Sequence, residues 1–397
     1  MRRHAATFFL LIALSAGAVE TADPATAAIE LSERHVASNQ FAKAVRVLAP
    51  FESLQRADVD YALAYALYSE AVNGVPVEDA GDVDITRAQA LAERAAAKGS
   101  GFALNLLFVM HSNGFGLPVD EDKALNYLER AVAAGDVGAK INYSVRLYRG
   151  IAPLDRDRDK ACALFTELQA LPDADPISGY YLGLAHFGGH CGFPEDLSKG
   201  MAMIEAAARS EVREAQSDMG KSLEFGWTGT KDLKQALAWY QLAADLGEPY
   251  AEWRIGMTYV NGEERAKDAA AAVAWFQRSA ASEHPLGLGS LAVMAATGDG
   301  MVQDFPLARS LYQRAAAAGN SHAYRGLAVM HLRGEGGPAD PVRARVLYWQ
   351  AIHAGNQEEP ALLELIEGQM NARQRRQARR DIEALGGELE SGGKATK

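Results

Sequence analysis

Four side chains near the middle of the chain have types that could hold a metal ion. His186 and His190 are spaced H-x3-H, Cys191 follows directly, and Cys162 lies upstream. Two imidazoles four residues apart at a helix end fall on one side, and thiolates would complete a zinc ligand set. The other reading of the cysteines is a disulfide, or two separate thiols with one buried as a small apolar residue. Gly-x-Gly recurs at Gly114–Gly116, Gly298–Gly300 and Gly334–Gly336. A phosphate cradle would need a strand before such a turn and Lys-Ser/Thr after it, and neither is present. Ser391 and Lys394 form S-x-x-K, but no S-D-N or K-T-G accompanies them. Carboxylates are numerous, yet no pair stands out as desolvated for acid–base work. Arg373, Arg375, Arg376, Arg379 and Arg380 are the one basic cluster, either a solvated helix face or a dock for an acidic partner or anionic headgroups.

The elements that would carry these groups follow from a ladder of glycines. Gly74, Gly114, Gly150, Gly189, Gly226, Gly262, Gly298 and Gly334 recur at intervals of 40, 36, 39, 37, 36, 36 and 36 residues. A small residue stands eleven before most of them and an apolar one seven before, with an acid six after and aromatics thirteen to fourteen after. Such a period marks a stacked array in which each unit packs on its neighbours. Within the unit Ala251 to Glu283, Ala251, Ile255, Gly256 and Tyr259 share one helix face. Gly262 ends that helix, Asp268 caps the next, and Trp275 and Phe276 fill the interior. Gly256 costs about 1 kcal/mol inside a helix and is explained if a neighbour crosses closely there. The cap position holds Asp120, Asp232, Asp268, Asp304 and Asp340, and closing glycines stand at Gly99, Gly135, Gly247, Gly319 and Gly355. Helix ends therefore account for the Gly-x-Gly pairs. His186 occupies a buried aromatic position and His190 follows Gly189, which argues against a metal.

This sentence resembles the Sel1-like repeat family, roughly A-x-x-x-L-G-x-x-Y-x-x-G-x-G-V-x-x-D-x-x-K-A-x-x-W-Y-x-x-A-A-x-x-G. Ala103 to Gly135, Ala215 to Gly247 and Ala323 to Gly355 fit it well, and a length of 36 separates it from the 34-residue tetratricopeptide repeat. The resemblance covers about 100 to 355, with a degenerate unit at about 58–99. It implies an all-α, right-handed α/α solenoid of seven to eight 36-residue helix-turn-helix repeats with N- and C-terminal capping helices. The units around the irregular interval depart from the pattern: Leu171 and Glu211 replace the closing Gly, and His186 replaces the family Tyr. The inserted LPDADPIS, with Pro172 and Pro176, is expected to bend or loosen the stack.

The domain boundaries expected are a signal peptide at 1–18, a helical cap at 19–57, the array at 58–355, capping helices at 356–385 and a disordered tail at 386–397. Arg2 and Arg3 precede the apolar run Thr7 to Leu14, and Ala16-Gly17-Ala18 offers small residues for cleavage. The run is far shorter than the roughly 18–20 residues of a spanning helix, so the alternative is an uncleaved anchor. Removing 1–18 takes away two arginines and no acid, moving the net charge from −11 to −13. An acidic chain is a poor general binder of nucleic acid. Export to the periplasm or medium makes the cysteine pair a candidate disulfide. Oligomeric state is left open.

In similar solenoids the first helix of each unit lines the concave surface. Positions three, seven and ten after the leading small residue are expected to face outward there. They include Asn142, Arg146, Arg149, Tyr181, Asp218, Ser222, Arg254, Thr258, Asn261, Ser290, Thr297, Met330 and Arg333. Asn142, Arg146, Arg149, Tyr181, Arg254, Asn261 and Arg333 are the binding candidates. No catalytic residue, metal or cofactor is assigned. The leading reading is an exported, non-enzymatic adaptor for partner proteins in envelope assembly, signalling or exopolysaccharide export. A glycan or peptidoglycan binder is the alternative, and a cell-wall or β-lactam hydrolase a third.

Overall fold

The computed structural model describes residues 23–73, 82–114, 117–227, 229 and 231–386. The proposed export segment, Gly74, Gly116 and the Ser391–Lys394 pair lie outside the described residues. Those described form twenty α-helices and no strand. They divide into two compact units, residues up to 215 and from 216 onward. The first contains α1 (Pro24–Ala37), α2 (Phe41–Leu48), α3 (Ala57–Asn73), α4 (Asp82–Ala97), α5 (Gly101–Asn113), α6 (Glu121–Ala133), α7 (Val137–Arg149), α8 (Arg158–Gln169), α9 (Pro176–Phe187) and α10 (Leu197–Arg209). The second contains nearly all of α11 (Arg213–Phe225), then α12 (Leu233–Asp245), α13 (Pro249–Asn261), α14 (Ala269–Ala281), α15 (Pro285–Thr297), α16 (Phe305–Ala317), α17 (Ser321–Arg333) and α18 (Pro341–His353). It ends with α19 (Pro360–Gly368) and α20 (Ala372–Ala384), parted at Asn371, whose side chain makes a capping box with Gln374. The architecture is an all-α repeat solenoid, each unit stacking successive helix pairs.

Seven of the pairs are closed in the same way. The Asp268 carboxylate accepts the Ala271 N–H at 2.9 Å, and the Asp268 N–H donates to the Tyr259 carbonyl at 3.1 Å. Asp120, Asp232, Asp304 and Asp340 repeat both bonds. Asp157 and Asp196 do so as well in the two irregular repeats. The capped N–H groups would otherwise be orphaned, and the carboxylate suits the positive helix end. Gly262 takes φ 76°, a left-handed turn that ends α13 at no side-chain cost.

This closure draws the two helices of a repeat together. A methyl group placed on Gly256 would meet the Phe276 ring at 2.6 Å, and one on Gly220 would meet the Tyr240 ring at the same distance. Both rings are fully buried, and the Tyr240 hydroxyl donates to Glu224 at 2.8 Å. The helix-weakening glycine is therefore a packing requirement.

The inserted spacer does not loosen the stack. Pro176 opens α9 at a position where its missing N–H costs nothing, and Asp175 caps that helix through the Ser178 N–H. Across the spacer, Tyr181 of α9 lies 4.9 Å from Phe165 of α8 with rings parallel to 2°, and 5.0 Å from Tyr148 of α7. Cys162 of α8 and Cys191, in the loop after α9, form a disulfide with Cα atoms 6.2 Å apart. The boundary between compact units falls instead at 215/216.

Gly256→Ala gains about 1 kcal/mol of helix propensity but forces about 1–3 kcal/mol of overpacking, so the midpoint of urea unfolding should fall. A midpoint at or above the wild type would show that the ring can step aside. Without reductant, neither cysteine should react with iodoacetamide. The Cys162→Ser/Cys191→Ser variant should lose about 2–4 kcal/mol of stability, as expected for a loop of this size.

Candidate functional site

The first helices α5, α7, α9, α13, α15 and α17 each pack on a second helix and on neighbouring repeats, so only a narrow wedge of each meets solvent. Counted from the leading small residue, position seven is inside: Arg146 is 8% exposed, and Ser222, Thr258 and Met330 are buried as well. Position ten is outside at Arg149, Asn261, Thr297 and Arg333. Position three is divided. Tyr181 and Arg254 are buried at 3% and 7% exposure, while Asn142, Asp218 and Ser290 are half-buried. Arg146, Tyr181 and Arg254 thus depart from the expectation that they face outward.

Both arginines are occupied by their own fold. Arg146 donates to Glu121 and to the Ala152 carbonyl, each at 3.0 Å, and its guanidinium lies over Phe108. Arg254 donates to Glu224 and Glu263, each at 2.7 Å. Tyr181 belongs to the aromatic cluster at the spacer. Asn261 donates to Glu263, and Arg333 pairs loosely with Glu335 at 3.5 Å. Arg149 remains exposed, with its guanidinium over Tyr181 and 3.8 Å from Glu214.

The solvent-facing wedge lies one residue earlier, about 100° around the helix. Position six carries Val109, Val145 and Leu184 in the first unit, each half-buried. In the second unit Met257 and Val329 are half-buried and Val293 is 46% exposed. Positions two and three of neighbouring first helices are laced together. Asn142 donates to Asn105 at 3.1 Å in the first unit, and Trp253 donates to Ser290 at 3.0 Å in the second.

In the first unit the wedge meets a small slot of about 20 Å³, lined by Tyr61, Tyr65, Tyr68, Phe102, Asn105, Leu106 and Val109. In the second unit Lys221 replaces the aliphatic residue. It bonds Asp218 at 2.9 Å and covers the Tyr250 ring at 4.4 Å, so this cation is balanced internally. Tyr250 in turn meets Trp253 at 5.3 Å.

The metal reading finds no support in the geometry. The disulfide takes both thiols, and no group of three or more His, Cys, Asp or Glu suited to a metal occurs among the described residues. His186 is buried with its ring 4.3 Å from Phe193. The α20 arginines stand exposed, Arg375 donating to the Glu367 carbonyl.

The Sel1 repeat family model matches eight segments, residues 61–100, 101–136, 138–167, 178–211, 213–248, 249–284, 286–320 and 321–356. The chain belongs to the Sel1 repeat family. The one long gap between matched segments is the spacer. No curated protein matches the chain. Among solved structures, c5321, a protective antigen of uropathogenic Escherichia coli with an SLR fold, is 20% identical, with 94% of this chain and 89% of that one covered and a TM-score of 0.43. A Sel1 repeat protein from Oxalobacter formigenes is 21% identical, covering 64% of this chain and 99% of that one, with a TM-score of 0.48. The immunity protein Pa5087 from Pseudomonas aeruginosa is 16% identical over 57% and 86%, with a TM-score of 0.37.

Three Sel1 repeats place histidine, not only one, where the family sentence has Tyr: His111, His186 and His331. Burial lowers the pKa of all three. Neither ring nitrogen of His111 has a hydrogen-bond partner, nor has Nδ1 of His186 or His331. His284, edge-on to Tyr250, is lowered to about 4 by burial and by Lys221. Each is more easily protonated unfolded, near pH 6.5, than folded. Their contribution to stability is therefore complete above about pH 6.5 and is lost as the pH falls below it, for His284 toward about 4. Buried Asp136 and Glu252 and half-buried Asp175 and Glu248, whose pKa values desolvation raises, oppose this trend over the acid end. His331→Phe isolates the imidazole: its unfolding free energy should fall less between pH 6.5 and 4 than that of the wild type. Parallel pH profiles would remove His331 from the account.

Proposed function

We propose that this Sel1 repeat protein is a non-catalytic scaffold that binds partner proteins along the exposed wedge of its first helices. Sel1 repeat proteins are typically protein-interaction adaptors, which is the coarse statement the family supports. The observation that carries the reading here is the recurrent aliphatic row at position six. A side chain such as Val293 adds nothing to the core it leaves, and apolar surface repeated at fixed intervals marks a contact surface. Lateral bonds between neighbouring helices hold the row rigid, which limits the ordering cost of binding.

We infer further that the chain acts after export, in envelope assembly, signalling or exopolysaccharide handling. The disulfide suits an oxidising compartment, and no helix of the described residues is long and apolar enough to cross a membrane. A glycan ligand is the second reading, favoured by the ring-lined slot of the first unit.

A photo-crosslinking residue at Val329 should capture protein partners in the native envelope. Val293→Glu, at an exposed position, should reduce that capture about tenfold while leaving the helical circular dichroism unchanged. Capture unaffected by Val293→Glu, or recovery of glycan alone, would overturn the reading.

A further inference from the structure

Along the array, arginines are matched by acids. Arg146, Arg254, Arg278, Arg314 and Arg345 each reach a carboxylate at 3.1 Å or less. The five arginines of α20 are all exposed, and they are not matched. Arg375 donates to the Glu367 carbonyl and Arg380 to the Gln377 side chain. Among the described residues none of Arg373, Arg375, Arg376, Arg379 and Arg380 forms an ion pair, although the chain carries a net charge of −11. The Glu367 carboxylate, close at hand, is taken by Arg345 instead.

α20 packs on α18 and buries Ala378 and Ile382. At 100° per residue its arginines fill an arc of about 160° on the remaining circumference and span about 10 Å of the axis. Ala372 and Glu383 are the other residues in that arc, so it holds one acid and no large apolar side chain. Asp381 lies outside it and accepts from Gln377 at 2.6 Å. The placement works against the helix. Arg376 has Arg373, Arg379 and Arg380 three or four positions away, and like charges at these spacings destabilise a helix. Arg373, Arg375 and Arg376 also stand near its start, at the positive end of the dipole. Neutral Asn371 caps that end, where seven second helices of the array use aspartate. The fold gains nothing from the cluster.

We propose that the arginine face of α20 docks an acidic helix of a partner protein. Carboxylates at helical spacing match Arg373, Arg376 and Arg380 at i, i+3 and i+7, and Arg375 and Arg379 at i and i+4. Each guanidinium can donate two parallel N–H bonds to one carboxylate. Antiparallel alignment sets the partner's negative C-terminal end against the positive start of α20. The acidity of the rest of the chain is screened beyond about 10 Å at moderate salt, so the local field is that of the arginines. An anionic bilayer fits less well. It is flat where the arc wraps around the helix, and a helix lying in an interface sinks a large apolar face, whereas the apolar residues of α20 are buried. The inference adds a second contact to the scaffold reading and rests on it for the kind of partner.

The test uses the full chain and a fluorescein-labelled helical peptide with Glu at i, i+3, i+4 and i+7, its Gln counterpart serving as control. Anisotropy should report binding of the Glu peptide alone, weakening about tenfold as salt rises from roughly 0.05 to 0.5 M. Arg376→Gln/Arg379→Gln removes two exposed guanidiniums and should weaken binding about tenfold. Its urea-unfolding midpoint should stay or rise, because repulsion along the helix is relieved. Arg376→Lys/Arg379→Lys keeps the charge without the fork and should fall between. Equal binding of the Glu and Gln peptides, or Glu binding that survives Arg376→Gln/Arg379→Gln, overturns the proposal. So does a lowered midpoint, which would make these arginines part of the fold. Binding to phosphatidylglycerol vesicles or to a duplex oligonucleotide that requires Arg376 and Arg379, with no binding of the Glu peptide, also overturns it. Any of these results with capture at Val329 intact would spare the scaffold reading, since the wedge is tested separately by Val293→Glu.

Discussion

Seven repeats of this solenoid each depend on one aspartate used twice. Asp120, Asp157, Asp196, Asp232, Asp268, Asp304 and Asp340 each donate the backbone N–H to a carbonyl of the first helix and accept a first-turn N–H of the second through the carboxylate. One residue thus fixes the end of one helix, the start of the next and the chord between them. The geometry tolerates an extra residue: nine positions separate Tyr259 from Asp268, and ten separate Leu147 from Asp157 and His186 from Asp196. The closely crossing helices at Gly220 and Gly256 follow from this chord. With the loop clasped, the helices cannot part to admit a larger residue than Gly beside Tyr240 or Phe276.

The clasp also explains which parts of the molecule could be read from sequence. Helix ends are local events, determined by a left-handed glycine or a capping carboxylate within a few residues, so the ladder placed every matched repeat. The capping helices before and after the array were legible for the same reason, Asn371 marking the break between α19 and α20. The exposed wedge is not local. It is whatever remains after a first helix has packed against its own partner and two neighbouring repeats, and an error of one position rotates the choice by about 100°. Arg146 and Arg254 sit at positions seven and three, which the repeat register assigns to the surface, yet each is held by carboxylate or carbonyl partners within its own unit. The signal that could have found the wedge was already in the chain. Val109, Val145, Leu184, Met257, Val293 and Val329 are apolar at a position that the core-facing residues of a helix do not require.

The irregular interval illustrates the opposite failure. Two prolines in an eight-residue insertion suggest a break, because Pro removes a donor and restricts its neighbour. Here Pro176 occupies the first turn of α9, where no donor is needed. The closing glycine that Leu171 displaced is replaced by other constraints: the Phe165–Tyr181 stack and the Cys162–Cys191 bond join the repeats on either side. Cross-links of this kind arise from contacts between residues 16 and 29 positions apart, which a reading of local propensity does not weigh.

A solenoid whose repeats were identical would offer every partner the same surface. This chain carries an aliphatic residue at position six of six first helices and Lys221 at that position of α11, and it varies what flanks them. The row supplies apolar area in those six repeats at little ordering cost. Its flanks differ: aromatic rings beside Asn105 near α5, and an internally balanced lysine over Tyr250 near α13. Selectivity needs unpaired groups, because a buried donor or acceptor left without a partner penalises every ligand that cannot complete it. Lys221 has its acid and its ring, whereas Arg254 has two acids and one buried guanidinium nitrogen without a partner. Buried polar atoms without a partner occur in both units, Nδ1 of His186 in the first and Nη1 of Arg254 in the second, so the same penalty bears on a mismatched ligand at either.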